Sequence, residues 1–357
     1  MSSDGTREKI DSLDLRMLEL LNERADLVRQ ATSPGSALVD PLQDLEEHAA
    51  VVKELERVQL DRGGAFPTHA LEAVFREINS ACVSLRESVT VAYLGPPGTF
   101  THMAARSHFG MSADYREGST IATVFDAVMR QTARYGVVPI ENSTEGGVSF
   151  TLDCLLEYDL FVRDELVLHV AQCLVGLHHD LTRIERVYSH PQGLAQCRTW
   201  LAKHLPSAQL VVSPSTGAAA KQAAEDDRAA AIASQLSAEL YGLKLVRQNV
   251  QDRVQNATRF IVLAHSDAPP TGVDKTSLVF STPHKKGALR AVLEIFDEEA
   301  LNLTRIESRP FGSRMWEYAF FTDFEGHRAD PPVTRALERL RAVCGHVKVL
   351  GSYPRSA

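Results

Sequence analysis

The first part of the chain combines helical apolar stripes with short breaks rich in proline and glycine. Apolar side chains recur every three or four residues from Ile10 to Val28, which predicts an amphipathic helix. The stretch TSPGSALVDP interrupts this spacing, and a second helix is predicted from about Leu42 to Leu60. Pro67 and Thr68 are typical of the start of a third helix, which we expect to end near Arg86. Three helices make a small core for one chain, so this pattern favours pairing with a second copy.

From Val89 onward the pattern changes to short apolar runs separated by helical stretches. The predicted strands to about residue 264 are VTVAYLG, RYGVVPI, ERVYSH, AQLVVS, RAAAIAS and RFIVLA. Such alternation predicts an α/β architecture with parallel strands. The segment HSDAPPTGVD, rich in proline, glycine and aspartate, is interpreted as a linker. The predicted domains are therefore residues 1–88 and 89–265, a linker at 266–274, and a last domain at 275–357.

The last domain has six predicted elements in the order β-α-β-β-α-β, which is the ferredoxin-like arrangement. They are KTSLVFST, KGALRAVLEIFDEE, LNLTRIESRP, WEYAFFTDFEG, PPVTRALERLRAVC and HVKVLGSY.

Composition narrows the functional classes. The 357 residues carry a formal net charge of -8, which argues against nucleic acid as a main partner. No apolar run approaches the length of a membrane span, and the N-terminus does not resemble a signal peptide. The five cysteines are scattered without a C-x-x-C spacing. We expect a cytoplasmic protein that binds no membrane, no metal and no cofactor.

Polar side chains follow several of the predicted strands. In YGVVPIENSTEGGV, a carboxylate, an amide and two hydroxyls come directly after a buried strand. Similar junctions lie at Thr99, at Ser189 to Gln192, and at Ser215 and Thr216, while Thr258 and Arg259 stand at the entry of a strand. Each junction alone is explained by helix capping, for example by Thr99. Together they predict a cleft for a small anion, lined by hydroxyls, amides and helix N-termini.

The middle domain resembles the prephenate dehydratase family. The resemblance rests on GPPGTFT, VPIENSTEGGV, SHPQGLAQC, STGAAAKQA, AAIAS and QDRVQNATRF, in this order. It implies a two-lobed α/β fold like that of periplasmic binding proteins, and prephenate as the substrate. Prephenate is a dicarboxylate ring that loses hydroxide and carbon dioxide, and aromatisation drives the reaction without a cofactor.

The resemblance also implies residue roles. Thr258 is the catalytic group, which donates a hydrogen bond to the departing hydroxide. The substrate-binding candidates are Thr99, Glu141, Asn142, Ser143, Ser189, Gln192 and Arg259. Two of them keep alternative roles: Glu141 assists proton movement or holds its loop, and Arg259 contacts substrate or forms a structural ion pair on the opposite face of its strand.

The last domain resembles the regulatory ACT domain, which implies inhibition by phenylalanine. The phenylalanine-binding candidates are Gly287, Ala288, Leu289, Glu307, Ser308, Arg309 and Pro310. Such domains usually pair, so the resemblance implies a homodimer or a larger homo-oligomer.

The N-terminal helices resemble chorismate mutase, with Arg7 and Arg24 at two of its cationic positions. The family's lysine falls in ATSPGSALVD and its Arg-Glu pair in PLQDLEEHAA, and neither stretch contains Lys or Arg. Arg86 stands near the position where Gln or Glu is usual. We therefore expect a weak or inactive mutase, unless Arg29, Lys53, Arg86 or His48 compensates.

Three alternatives remain open: a fully bifunctional enzyme, a dehydratase that prefers arogenate, and a small-anion binding or sensor protein with the same two-lobed fold.

Overall fold

In the computed structural model the chain divides into two compact units, Met1–Thr90 with Arg106–Asp114, and Val91–Ala105 with Tyr115–Ala357. The structure describes residues 3–31, 40–253, 255–283, 285–310 and 318–356, and for residues 3, 4, 31, 45–49 and 69 it describes the backbone alone. Among the helices of these described residues, none is long and apolar enough to cross a membrane.

The first unit is built on three helices, as the apolar spacing predicts: α1 (Ser3–Ala31), α2 (Pro41–Arg62) and α3 (Thr68–Ser84). Asp40 caps α2 by accepting a hydrogen bond from the Leu42 backbone N–H, and Gly63 ends it in the left-handed conformation. Helix α3 packs on α2, and Leu42, Val52 and Val83 are buried. Most large apolar side chains of α1, by contrast, are exposed. The side chain of His48, which was a candidate to compensate for the missing mutase cations, lies outside the described residues.

Most of the second unit, together with Thr90 and residues 106–109 and 114, which are counted with the first unit, forms two lobes and a C-terminal part. The first lobe has mixed α/β structure. Its strands are β1 (Thr90–Leu94), β2 (Asp114–Gly118), β3 (Tyr135–Asn142), β4 (Gly146–Gly147), β5 (Phe161–His169) and β11 (Ala257–Ala264). Its helices are α4 (Phe100–Phe109), α5 (Ile121–Met129) and α6 (Ser149–Glu157). The sheet order is β2-β1-β3-β11-β5, with β4 paired to β3.

A second lobe is inserted between β5 and β11. Its strands are β6 (Cys173–Gly176), β7 (Arg186–Ser189), β8 (Gln209–Val212), β9 (Ala229–Ala233) and β10 (Lys244–Arg247), in the order β10-β6-β9-β7-β8. Its helices are α7 (Pro191–Gln196), α8 (Arg198–His204), α9 (Thr216–Ala224) and α10 (Gln235–Tyr241), and a 3-10 turn lies at Leu181–Arg183. The predicted two-lobed α/β class is confirmed.

The prediction of parallel strands is only partly right. The β1–β3, β7–β8 and β7–β9 pairs are parallel, as alternating strands and helices require. The pairs β11–β3, β11–β5 and β6–β9 are antiparallel. The reason is that β11 returns from the second lobe and enters the first sheet between two of its earlier strands, a long-range pairing that local periodicity does not encode.

The C-terminal part has the predicted β-α-β-β-α-β order. Its elements are β12 (Asp274–Ser281), α11 (Ala288–Glu298), β13 (Leu303–Pro310), β14 (Tyr318–Glu325), α12 (Pro331–Val343) and β15 (His346–Pro354). The antiparallel sheet has the order β13-β14-β12-β15. Strand β12 starts at Asp274, one residue inside the predicted linker.

Two hydrophobic cores lie on the two faces of this C-terminal sheet. One joins the sheet to α11 and α12 through residues such as Phe280, Val292 and Leu340. The other includes Val279 and Phe321 of the sheet and also Val124, Leu152 and Ile261 of the first lobe. The C-terminal sheet therefore shares a continuous core with the first lobe.

Candidate active site

The candidate active site is built around a hydrogen bond between strands β3 and β11. Their antiparallel register places Thr258 opposite Asn142, and both side chains are 9% exposed. Asn142 Nδ2 donates to Thr258 Oγ1 at 2.8 Å. The same amide nitrogen donates to Asn256 Oδ1 at 3.0 Å. The two strands thus bring together groups that are 116 residues apart in the chain.

The orientation of the Asn142 amide is determined by its neighbours. Asn142 Oδ1 accepts hydrogen bonds from the Thr144 backbone N–H at 3.0 Å and from Thr144 Oγ1 at 2.6 Å. A backbone N–H can only donate, so the atom facing it must be the amide oxygen. Thr258 Oγ1 therefore accepts a hydrogen bond from the amide. No acceptor for its own O–H is found among the residues that the structure describes, so this O–H can serve as a donor.

Ser143 ties the same loop to β11. Its backbone N–H donates to the Ala257 carbonyl at 2.9 Å, and its Oγ accepts from the Ala257 backbone N–H at 3.0 Å. Gly146 follows with a φ of +84°, which favours glycine, and β4 then pairs back onto β3. The polar run ENSTEGG is consequently a closed turn beside Thr258, and Ser143 holds it to the backbone of Ala257.

Arg259 and Glu141 lie on the opposite face of the sheet from Thr258. Arg259 Nη2 contacts Asp323 Oδ2 at 2.7 Å, Arg259 Nη1 contacts Glu165 at 3.4 Å, and Arg259 Nε lies 3.6 Å from Glu141. Of the two roles left open for Arg259, these contacts favour the structural ion pair. For Glu141 they favour holding the loop. Side-chain alternation along a strand is the physical reason.

Asp323 is the carboxylate beside Arg259 whose charged form the surroundings favour. Burial alone would raise the pKa of Asp323, but Arg259, Arg305 and the hydrogen bond from Ser277 outweigh it and hold that pKa below its usual value. Burial opposes the charge of Arg259 as well, but Asp323, Tyr353 and Glu165 raise its pKa above the ordinary arginine value. Lys275 Nζ completes the network by contacting Glu165 Oε1 at 2.7 Å.

Thr99 belongs to the loop between β1 and α4, where it acts as a helix cap. Its Oγ1 donates to the Leu94 carbonyl at 3.1 Å and accepts from the His102 backbone N–H at 3.3 Å. The capping alternative for this threonine is therefore the one the geometry shows. The preceding Gly98 carbonyl accepts hydrogen bonds from Ser234 Oγ at 2.6 Å and Ser237 Oγ at 2.7 Å.

The hydrogen bonds from Ser234 and Ser237 to the Gly98 carbonyl connect the two lobes beside the start of α9. A Cβ on Gly217 would collide with the Pro97 carbonyl oxygen, so glycine permits the close approach. Sequence reasoning singled out neither Ser234 nor Ser237, although the motif AAIAS ends at Ser234. The sequence signal that could have identified them is their place at the start of α10, where Ser234 is the N-cap and Ser237 lies in the first turn.

The remaining candidates are in the second lobe. Ser189 ends β7, is fully buried, and donates from Oγ to the Ile232 carbonyl at 2.8 Å. Gln192 lies in the first turn of α7, where its backbone N–H donates to His190 Nδ1 at 3.3 Å. The contacts of Ser189 stabilise the β7–β9 pairing, whereas the Gln192 side chain is half-buried and has no hydrogen bond among those found in the described residues. Gln192 is thus the candidate of this pair that is suited to contact a ligand.

The Gly287 group borders a separate pocket in the C-terminal domain. Gly287, Ala288 and Leu289 line it together with Tyr318 and Phe320, and its volume is about 310 Å³. Gly287 precedes α11 with a φ of +83° and provides no side-chain cap, while the Ala288 backbone N–H donates to the Lys285 carbonyl at 3.2 Å. The positive end of the helix dipole at this terminus favours an anion.

The other predicted phenylalanine-binding residues, Glu307 to Pro310, lie on two opposite faces of β13. Glu307 and Arg309 point from β13 toward the first lobe, where Arg309 contacts Asp153 at 3.0 Å and the Glu307 carboxylate lies at Gly147. Ser308 and Pro310 are exposed on the other face. None of the four lines the pocket at Gly287.

In the first unit, Arg24 is half-buried and Arg7 is exposed. Arg24 Nη1 contacts Cys82 Sγ at 2.7 Å, and its Nη2 contacts Asn79 Oδ1 at 3.4 Å. Arg86 is paired with Asp44, Arg29 lies 3.7 Å from Asp26, and Lys53 is exposed. The stretch that would hold the mutase lysine falls almost wholly outside the described residues.

No group of three or more His, Cys, Asp or Glu side chains with metal-binding geometry is found among the residues that the structure describes. The five cysteines are free thiols. Desolvation raises the pKa of Cys197 to about 12, so this thiol is a core group and not a nucleophile.

Comparison with known proteins assigns three consecutive parts of the chain to family models. They are chorismate mutase type II over residues 6–87, prephenate dehydratase over 91–268 and the ACT domain over 276–342. The bifunctional chorismate mutase/prephenate dehydratase of Aquifex aeolicus (strain VF5) is 44% identical over 351 residues, which cover 98% of this chain and 97% of that protein.

Two solved structures match about three quarters of the chain. Prephenate dehydratase from Arthrobacter aurescens in complex with L-Phe is 36% identical with a TM-score of 0.69, covering 75% of this chain and 90% of that one. GqqA, described as a quorum-quenching acylase, has the same TM-score at 32% identity and covers 75% of this chain and 98% of that one. Because this fold accompanies two different described activities, the assignment rests on the three ordered family matches and the full-length identity. The chain belongs to the bifunctional chorismate mutase/prephenate dehydratase family.

Proposed function

We propose that this protein converts prephenate to phenylpyruvate, water and carbon dioxide. The observation that carries the proposal is the Thr258–Asn142 hydrogen bond of 2.8 Å, in which the threonine oxygen accepts and its O–H, without an acceptor among the described residues, can donate to the substrate. As the hydroxide of prephenate departs, negative charge builds on its oxygen. A fixed O–H donor stabilises that charge more than it stabilises the substrate, which lowers the barrier.

The protein's part in the reaction is positioning and solvation. Threonine is too weak an acid for complete proton transfer, so Thr258 acts by a strengthening hydrogen bond and water is formed as the proton arrives from solvent. Asn142 has all its hydrogen-bonding groups engaged within the protein, and we assign it the role of orienting Thr258. Carbon dioxide leaves as the ring becomes aromatic, and that step requires no electron-accepting group from the protein.

Binding of the two substrate carboxylates is assigned to neutral groups and helix N-termini. Glu141 and Arg259, the charged members of the predicted set, face the other side of the sheet. The start of α9, capped by Ser215, and Gln192 in the first turn of α7 remain as partners from the second lobe. Thr99 contributes by holding the loop that joins the lobes.

The direct test is turnover of prephenate by the purified full chain, followed by the absorbance of phenylpyruvate in alkali. Formation of phenylpyruvate supports the proposal, and its absence in a folded protein would refute it. Equimolar prephenate and arogenate should be supplied together to determine the preference between the keto acid and the amino acid. Binding of prephenate without turnover would instead identify an anion-binding or sensor protein.

We propose that phenylalanine inhibits the enzyme by binding at the start of α11. A carboxylate fits the uncapped helix N-terminus at Gly287, and Leu289 and Phe320 offer apolar surface to an aromatic ring. The Arthrobacter aurescens structure is described as a complex with L-Phe, which supports the same effector. Ser308 and Pro310 stay candidates for a site completed by a second chain.

For the N-terminal helices we propose a weak or inactive mutase that serves in dimerisation. Arg24, the best placed of the predicted cations, is engaged by Asn79 and Cys82, and Arg86 is engaged by Asp44. The exposed apolar side chains of α1 are suited to a second copy of the chain. A homo-oligomer in the cytoplasm remains our prediction for the active form.

A further inference from the structure

Strand β13 presents a polar face to the first lobe. Arg305, Glu307 and Arg309 alternate with exposed residues along the strand and are all half-buried. Arg305 Nε lies 3.4 Å from Glu141 Oε2, and Arg309 Nη2 lies 3.0 Å from Asp153 Oδ1. A Cβ on Gly147 would collide with the Glu307 carboxylate. That carboxylate is also paired with Arg305.

Strand β15 adds a fourth contact at the far end of the same region. Lys348 Nζ donates to the carbonyl oxygens of Leu155 at 2.9 Å and Tyr158 at 2.6 Å. These carbonyls close the C-terminal end of α6, where a cation interacts favourably with the helix dipole.

All four contacts therefore fall on one stretch of the first lobe, residues 141–158. This stretch contains Asn142 and Thr144, the two residues that orient the Thr258 hydroxyl. Arg259, next to Thr258, is held on its other side by Asp323 of β14 at 2.7 Å. The shared hydrophobic core makes the C-terminal sheet a rigid support for both strands of the site.

We propose that Arg305, Glu307, Arg309 and Lys348 clamp residues 141–158 and are positioning residues for the dehydratase reaction. The assignment rests on the proposed function, since it specifies how the Thr258–Asn142 pair is held. It gives Glu307 and Arg309 a task different from the phenylalanine contact that the family resemblance implies. The domain that carries the effector pocket would thus also complete the active site when no effector is bound.

The sharpest test asks whether removal of the Glu307 side chain suppresses the effect of a substitution at Gly147. Gly147 has no positive φ, so alanine there would displace the Glu307 carboxylate, the end of a flexible side chain, without straining the backbone. Gly147→Ala should lower kcat about tenfold, because misplacing catalytic groups by about 1 Å costs up to about 10²-fold. The double variant Gly147→Ala/Glu307→Ala should recover to the level of Glu307→Ala alone. Multiplying losses would overturn the proposal, because two independent sites behave that way.

A second test removes a clamp residue without touching the site. Arg309→Ala should lower kcat several-fold with little change in KM, since the substrate contacts remain but the donor is misplaced. Arg335→Ala is the matched control, because this arginine pairs with Glu299 within the C-terminal domain at 2.8 Å. The control should retain wild-type kcat. Equal kcat in both variants and wild type would refute the clamp.

A readout independent of activity separates this proposal from the proposed function. Amide hydrogen exchange of the effector-free full chain should speed up in peptides covering 141–158 in Arg309→Ala, while peptides of α11 stay unchanged. If the wild-type protein fails to turn over prephenate, the proposed function fails but the exchange result still tests the clamp. Unchanged exchange in 141–158 would overturn it.

Discussion

Helix α1 and strand β11 are both rich in apolar side chains, yet they bury them to opposite extents. Eight large apolar residues of α1, between Ile10 and Leu27, are 39–65% exposed. In β11, the side chains from Phe260 to Leu263 are at most 1% exposed. The strand is covered on both faces, while the helix leaves its apolar side chains exposed, as a protein interaction surface does.

The difference in burial shows which apolar side chains of α1 and β11 are packed within the chain and which are not. The site on β11 is supported entirely within one chain, by neighbouring strands and by the C-terminal sheet. The apolar surface of α1 is the one for which we propose a second copy of the chain. We therefore expect changes at Thr258 to affect chemistry without assembly, and changes on α1 to affect assembly first.

The largest effect is expected from Thr258→Ala. The substitution removes the donor for the leaving hydroxide and should lower kcat by about 100-fold or more, which corresponds to about 3 kcal/mol of lost transition-state stabilisation. The measurement is steady-state turnover of prephenate, with thermal unfolding as the check on folding. Thr258→Ser keeps the hydroxyl and should retain most of the activity. Near-normal turnover by folded Thr258→Ala would disprove the role.

Next in size is the loss of oligomers on charging α1. Leu13→Glu/Leu20→Glu places two carboxylates on one exposed apolar stripe, where each buried leucine would contribute about 1.5–3 kcal/mol to association. Analytical ultracentrifugation should show a shift toward monomer. Ser12→Glu/Asn22→Glu adds the same two charges at polar positions of the helix and should leave the mass unchanged. An unchanged mass for the leucine variant would exclude α1 as the interface.

A smaller effect is expected at the effector pocket. Gly287→Asp puts a carboxylate at the start of α11, where it competes with that of phenylalanine for the helix N-terminus. Calorimetry should show phenylalanine affinity reduced by about tenfold or more, an effect of about 1.4 kcal/mol. Gly272→Asp is the matched control, because Gly272 has a similar positive φ of +88° and open surroundings. Normal phenylalanine affinity in Gly287→Asp would place the effector site elsewhere.

The smallest change is expected from Arg24→Ala. The wild-type chain should turn over chorismate at least about 100-fold more slowly than prephenate, since losing a single donor at such a site costs about 10²–10³ in rate. Arg24→Ala should then leave prephenate turnover unaltered and change little in chorismate turnover. Comparable rates on both substrates, with the chorismate rate abolished by Arg24→Ala, would show a working mutase.

Much of the architecture was predictable from the order of local patterns. The breaks at Pro41 and Pro67 separate the helices as observed, and the six C-terminal elements follow the apolar spacing closely. Motif resemblance selected Asn142 and Thr258 as separate site residues, but it did not predict that they pair. No spacing rule links two residues that are 116 positions apart.

By itself, the sequence determined the elements, their order, and the side chains available for chemistry, because periodicity and capping act within a few residues. Tertiary structure alone decided what each face of a strand contacts. The antiparallel entry of β11 placed Thr258 beside Asn142 and turned Arg259 toward Asp323. Packing of the C-terminal sheet on the first lobe gave β13 two different faces, so that Glu307 and Arg309 face the first lobe while Ser308 and Pro310 do not. The physical reason is that a strand's faces acquire their environments through packing with distant segments, which local sequence does not specify.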